Sequence, residues 1–199
     1  MGGCGRAPAG GVSQLNAINA GVVGRLHELY AQWDAHPHVH AILIKGAGGK
    51  AFCAGGDVKA AVAGARAGRP ADSLAFFRAE YHLNSLIGRL SKPHVAVIDG
   101  ICMGGGCGLA MHGPFRVATE RTLVAMPETA LGLFCDVGGS HFLNRLCPGS
   151  FGTYLALSGA RLRGPEVKAA GLATHFVPRW VLLLSSFPYP LTRGGRPCR

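Results

Sequence analysis

Apolar residues recur every three or four positions from Asn16 to Trp33, at Ile18, Val22, Leu26, Leu29 and Trp33. That stripe predicts an amphipathic helix packed on a core. Val39 to Ile44 is a short apolar run closed by Lys45-Gly46, which predicts a strand, and Ala47-Gly48-Gly49 predicts a turn. Helical patterns follow from Asp57 to Ala65 and from Asp72 to Leu90, separated by Ala67-Gly-Arg-Pro70. Asp57 is placed to cap the first of them. Pro93 leads into a second apolar strand, His94 to Ile98. Beyond it the pattern predicts a short amphipathic stretch ending at His112-Gly113 and another strand-like piece. Helices then follow over Gly138 to Cys147 and Ser150 to Ser158, with a short one opening at Pro165 and a strand from Thr174 to Val177. Strands alternating with helices make this an α/β chain. From Pro178 to Arg199 the periodicity stops, and a loosely ordered basic tail is expected.

Two stretches interrupt the pattern in the same way. Phe52-Cys-Ala-Gly-Gly-Asp57 and Met103-Gly-Gly-Gly106 are Gly-rich elbows between a strand and a helix. Glycine lets backbone approach a ligand closely, and a helix start presents unpaired N–H groups. One such elbow is most simply a tight turn. A pair can aim two donors at one oxygen, as a carbonyl turning into an oxyanion requires. Downstream, Glu128 follows Met126-Pro127 and Asp136 follows in a mostly apolar segment. A carboxylate in apolar surroundings gains a raised pKa and can serve as acid, base or nucleophile. The plainer alternative makes Glu128 a helix cap, Asp136 a solvated carboxylate and Glu80 a surface residue of its helix.

Other chemistries fail on spacing. No phosphate-binding GxxxxGK[ST] occurs, and Gly106-Cys-Gly108 is followed by Met111 where a dinucleotide fingerprint needs a small residue. Gly138-Gly-Ser-His-Phe142 lacks the last glycine of a nucleophile elbow. Seven scattered cysteines form no CxxC pair, which points to reduced thiols in an intracellular, not secreted, protein. The alternating His36, His38 and His40 have no matching carboxylate or cysteine cluster, so no metal is expected.

The length suits one domain with a sizeable core. The net charge of +10 raises nucleic acid as a partner, but five basic residues and no acidic ones lie between Val167 and Arg199. No basic run alternates with aromatics as single-strand binders require. Neither nucleic acid nor a membrane is therefore expected, and the basic balance suits a polyanionic small ligand.

Taken together, AFCAGGD, FFRAEY, KPHVAVIDGICMGGGCGLAMHG, FRVATE, AMPETALGLFCDVGG and GLATHFV resemble the crotonase superfamily, and within it the 3-hydroxyisobutyryl-CoA hydrolase branch. The resemblance runs from about Leu15 to Val177. It implies a crotonase-like spiral of ββα units, truncated at both ends relative to longer members. The implied division is a Gly-rich N-terminus over 1–11, a CoA thioester domain over 12–177 and the irregular tail over 178–199. It also implies hydrolysis of a short 3-hydroxyacyl-CoA, most of all 3-hydroxyisobutyryl-CoA of valine catabolism, in the mitochondrion. CoA would be part of the substrate and no separate cofactor would be needed. A homo-oligomer is compatible with it.

By the same resemblance Ala54 and Gly105 form the oxyanion hole, and Glu128 is the catalytic glutamate with Asp136 beside it. Glu80, Gly55, Gly56, Asp57 and Gly104 contact substrate. Related hydratases carry a second glutamate where this chain has Gly108, which disfavours hydration. Cys135 and Asn144 stand where the branch usually has proline. The alternative is a catalytically idle, CoA-binding or subunit-interacting relic.

Overall fold

The computed structural model describes residues 14–185. Helix α1 (Ala20–Ala35) is capped by Asn19, whose side chain accepts from the Val22 N–H at 3.0 Å. The cap shifts the stripe: Val23, Leu26, Leu29 and Tyr30 are buried in α1, while Val22 and Trp33 are only partly covered. Ile18 lies outside the helix and forms a β-bridge to Gly56.

Strands β1 (Ile42–Lys45) and β2 (Ala51–Cys53) precede helices α2 (Val58–Arg66) and α3 (Pro70–Gly88). Then come β3 (His94–Ile98), β4 (Ile101–Met103), α4 (Gly105–Ala110), β5 (Phe115–Ala118) and β6 (Leu123–Ala125). A 3₁₀ turn, Glu128–Leu131, leads to α5 (Gly139–Leu146) and α6 (Phe151–Ser158). Strand β7 (Leu162–Arg163), α7 (Pro165–Ala169), β8 (His175–Phe176) and α8 (Arg179–Ser185) complete the described chain.

Each strand pair divides itself between two sheets. The first sheet runs β1-β3-β5-β8, parallel throughout, and the second runs β2-β4-β6-β7 with only the β6–β7 pair antiparallel. Successive turns of chain thus add one strand to each sheet, which is the expected spiral of ββα units. The three-residue strands β2 and β4 are too short to show alternation, so the sequence pattern missed them.

The core lies between the sheets and the helices. Ala96, Ile98, Cys102, Cys107, Ala110 and Ala118 are fully enclosed in it. Helix α4 departs from expectation, because every one of its residues is buried rather than one face. Its small side chains allow this: a Cβ on Gly106 would stand 2.3 Å from the Cys53 carbonyl oxygen. The five cysteines of the described chain are free thiols.

The expected tail is also corrected in part. Its first turns form α8, anchored where Arg179 Nε donates to Asp99 Oδ2 at 3.1 Å and its backbone N–H to Glu120 Oε2 at 2.9 Å. Charge pairing, which leaves no periodic signature, holds this helix. The Gly-rich stretch 1–11 and the tail beyond 185 lie outside the described residues.

Candidate active site

The two elbows meet. Gly55, at φ 107°, follows β2, and a Cβ there would stand 3.1 Å from the Met103 carbonyl oxygen and 3.7 Å from the Gly105 nitrogen. Gly104, at φ 49°, turns β4 into α4 in a conformation that side chains resist. Gly105 is the first residue of α4, so its N–H lies outside the intrahelical ladder.

At the first elbow most donors are already taken. The Ala54 N–H donates to the Leu15 carbonyl at 3.1 Å, Asp57 N–H to Ile18 and Val58 N–H to Gly56. The Ala54 donor, expected in the oxyanion hole, is therefore engaged by the turn around Leu15. The N–H without an acceptor among the described residues is that of Gly56. It lies 3.3 Å from where a Cβ of Gly105 would be, so the two glycines bring their backbones into close approach.

Carboxyl groups close over these glycines. A Cβ on Gly105 would stand 2.4 Å from Glu80 Oε1, and one on Gly104 would stand 2.7 Å from Glu128 Oε1. Bare backbone is what lets both acids come this near. Glu80 comes from α3 and is 2% exposed, not the surface residue its helix position suggests. Glu128 opens the 3₁₀ turn after β6 and is 6% exposed. Asp136 is half-buried and accepts the Tyr81 hydroxyl at 3.0 Å. Asp57 stands apart, its carboxylate capping α2 by accepting the Ala60 N–H at 3.0 Å.

Burial dominates the electrostatics. Desolvation lifts Glu80 to about 7, helped by the like charges of Asp136 and Glu128. Glu128 is also pushed up to about 7, by burial first and with Asp136 adding to it. Asp136 is raised by burial, against which the Tyr81 hydrogen bond acts. Cys135, next to Asp136, is pushed up to about 12, so it remains a protonated thiol.

Six buried side-chain polar atoms lack a hydrogen-bond partner among the described residues. Four of them are here: Glu80 Oε1, Glu128 Oε2 and both amide atoms of Asn84. Sequence reasoning missed Asn84, Tyr81 and the strained Val137 (φ 46°). Asn84 was findable, since it follows Glu80 by four residues and so shares its helix face. A cavity of about 600 Å³ adjoins the Gly56 elbow, lined by Ile18, Asp57, Arg69 and Phe76 among others.

Unpaired backbone donors beside buried carboxyls form an arrangement suited to acyl chemistry, and the known proteins agree with the fold that carries it. Residues 12–183 match the enoyl-CoA hydratase/isomerase family model, and the chain belongs to that family. Its similarity is more specific than that. It is 58% identical over 165 residues to the mitochondrial 3-hydroxyisobutyryl-CoA hydrolase of Xenopus laevis, covering 82% of this chain and 42% of that protein. To the Homo sapiens protein of the same name it is 52% identical, with the same coverage. Among solved structures, an enoyl-CoA hydratase from Rhodobacter sphaeroides 2.4.1 superposes with a TM-score of 0.82 at 35% identity. That match covers 94% of this chain and 57% of the other. A carnitinyl-CoA dehydratase from Mycobacterium thermoresistibile has the same TM-score at 41% identity, covering 87% and 50%. The chain spans about two fifths of the length of the curated relatives it matches.

Proposed function

We propose that this chain carries the thioester-binding centre of a 3-hydroxyacyl-CoA hydrolase, with 3-hydroxyisobutyryl-CoA as its substrate. The observation that supports it most is the approach of Glu128 to Gly104, beside the unpaired N–H groups of Gly56 and Gly105. The names of the relatives support the substrate and a mitochondrial location.

In this reading the thioester oxygen lies between the Gly56 and Gly105 N–H groups. These donors bind the tetrahedral oxyanion more strongly than the ground-state carbonyl, which lowers the barrier. Glu128 acts on the carbonyl carbon. It either attacks it, giving a mixed anhydride and releasing CoA thiol, or takes a proton from the attacking water. Both routes consume one water and yield the free acid and CoA. A carboxyl lifted to about 7 suits a proton acceptor working near neutrality. Gly108 offers no side chain for the second acid that hydration uses. Asp136 orients the acyl group or water from the far side, and no cofactor beyond the substrate's own CoA takes part.

Thiol release from a panel of acyl-CoAs tests the reading, with 3-hydroxyisobutyryl-CoA expected to react fastest. In a single turnover in ¹⁸O-water, label in Glu128 identifies the anhydride route, with water attacking the glutamyl carbonyl. Absence of thiol release from every acyl-CoA would sink the proposal.

A further inference from the structure

Asn84 stands out among the buried polar groups of this molecule. It is 4% exposed, and neither Nδ2 nor Oδ1 has a partner. A buried amide left so is uncommon and needs an explanation. Its surroundings supply one. A Cβ on Gly108 would stand 2.8 Å from Asn84 Nδ2 and 3.1 Å from Oδ1, with Val137 at 2.8 Å on the other side. The carboxamide therefore faces bare helix backbone. Glu80 lies one turn earlier on α3 and faces Gly105 in the same way. Gly105 and Gly108 are themselves one turn apart on α4. The two helices thus align two polar rungs, Glu80 over Gly105 and Asn84 over Gly108, and the second lies one helical turn from Gly105, a proposed oxyanion donor.

A carboxamide presents a donor and an acceptor a short distance apart. A cation uses only the acceptor and an anion only the donor, whereas a neutral hydroxyl uses both. Asp136 already accepts the Tyr81 hydroxyl, while Asn84 has both atoms uncommitted. We propose that Asn84 binds a hydroxyl oxygen beside the reacting carbon, supplied by the acyl 3-hydroxyl or by the hydrolytic water, across from Asp136. The inference rests on the thioester-hydrolase reading.

Asn84→Leu keeps the shape and removes both hydrogen-bonding atoms. Kinetics on 3-hydroxyisobutyryl-CoA and isobutyryl-CoA, together with Tm, test it. The expected result is a fall of about tenfold or more in kcat/KM with Tm unchanged or higher, because an unpartnered amide has been removed. A fall confined to the hydroxylated substrate assigns the 3-hydroxyl. Equal falls in kcat on both, at constant KM, assign the water. Asn84→Ser, which restores a donor and an acceptor, should recover part of the loss, and it replaces the leucine variant if that one does not fold. Wild-type kinetics in Asn84→Leu, or a drop in Tm with no change in turnover, overturns the proposal in favour of a structural amide. If the wild-type protein hydrolyses neither thioester, the hydrolase reading fails. Asn84 is then judged by calorimetry with the thioether analogues of the two substrates. Equal wild-type affinity for both analogues overturns the proposal, and a preference for the hydroxylated one that is lost in Asn84→Leu upholds it.

Discussion

Arg116, Thr119 and Thr122 are as buried as Glu80, Asn84 and Glu128, yet the two groups differ in one respect. Around Arg116 the hydrogen bonds are made. Its Nε donates to the Leu172 carbonyl at 2.7 Å and its Nη1 to the Gly113 carbonyl at 2.6 Å. Thr119 donates to Asp99 Oδ1 at 2.8 Å, its N–H goes to Thr122 Oγ1 at 2.7 Å, and Thr122 donates to the Ile98 carbonyl. Around Gly104 and Gly105 the polar atoms point at one another or at bare backbone and stay unpaired. Satisfied groups tie the turn after β5 to the end of β3, and β5 itself to the segments around Gly113 and Leu172. Unsatisfied ones weaken the fold and hold reactivity in reserve. In the proposed reading, stability and chemistry thus belong to separate buried clusters.

The sharpest way to break that division is Glu128→Gln. Turnover should fall by about 100-fold or more, as for other proton-transferring carboxylates, while Tm holds or rises. Activity near wild type in this variant would remove Glu128 from the mechanism. The opposite behaviour is expected of Thr122→Val. It leaves the Thr119 N–H buried and unpaired, so chemical denaturation should show a loss of about 1–3 kcal/mol. Turnover of the folded fraction should stay the same.

Next in size is the response to pH. Glu80 and Glu128 have folded values near 7, above the ordinary 4.5. Between these limits the folded state binds more protons than the unfolded one, so stability falls as pH rises. Tm should therefore decline from pH 5 to pH 8, and less steeply in Glu80→Gln. Over the same range kcat/KM should climb as Glu128 ionises. A flat Tm profile would show that these carboxyls are ordinary. The smallest effect belongs to Tyr81→Phe. Loss of its bond to Asp136 should lower kcat by less than tenfold, with CoA affinity measured by calorimetry left unchanged.

The comparison also explains what was legible in the chain. The α/β alternation was, because strands such as His94–Ile98 and helices such as α3 carry their own periodicity, whereas the spiral followed only from the resemblance to the crotonase superfamily. The paired glycines announced close approach, and the structure brings Gly55, Gly56, Gly104 and Gly105 together. Which backbone donor remains unpaired was not legible. That depends on Leu15 reaching Ala54 across thirty-odd residues, a contact no local pattern encodes. Glu80 looked like a surface acid for the same reason, since the glycines that receive it lie on another helix. Helix α8 was missed because an ion pair of Arg179 with Asp99 and a bond from its backbone N–H to Glu120 anchor it, and partners distant in sequence leave no period to read.

Val137 bears on the order in which the molecule assembles. A β-branched residue at φ 46° is intrinsically disfavoured. Nothing local keeps it there except the Gly139 N–H bond to the Asp136 carbonyl at 2.7 Å. The rest of the restraint is imported: His112 Nε2 donates to the Val137 carbonyl at 2.9 Å, and the side chain is sealed to 2% exposure. The loop carrying Asp136 can take its shape only after the end of α4 and the start of α5 have docked. It should be absent from the folding transition state. Relieving its strain, as in Val137→Gly, should then leave the folding rate nearly constant and appear in the unfolding rate.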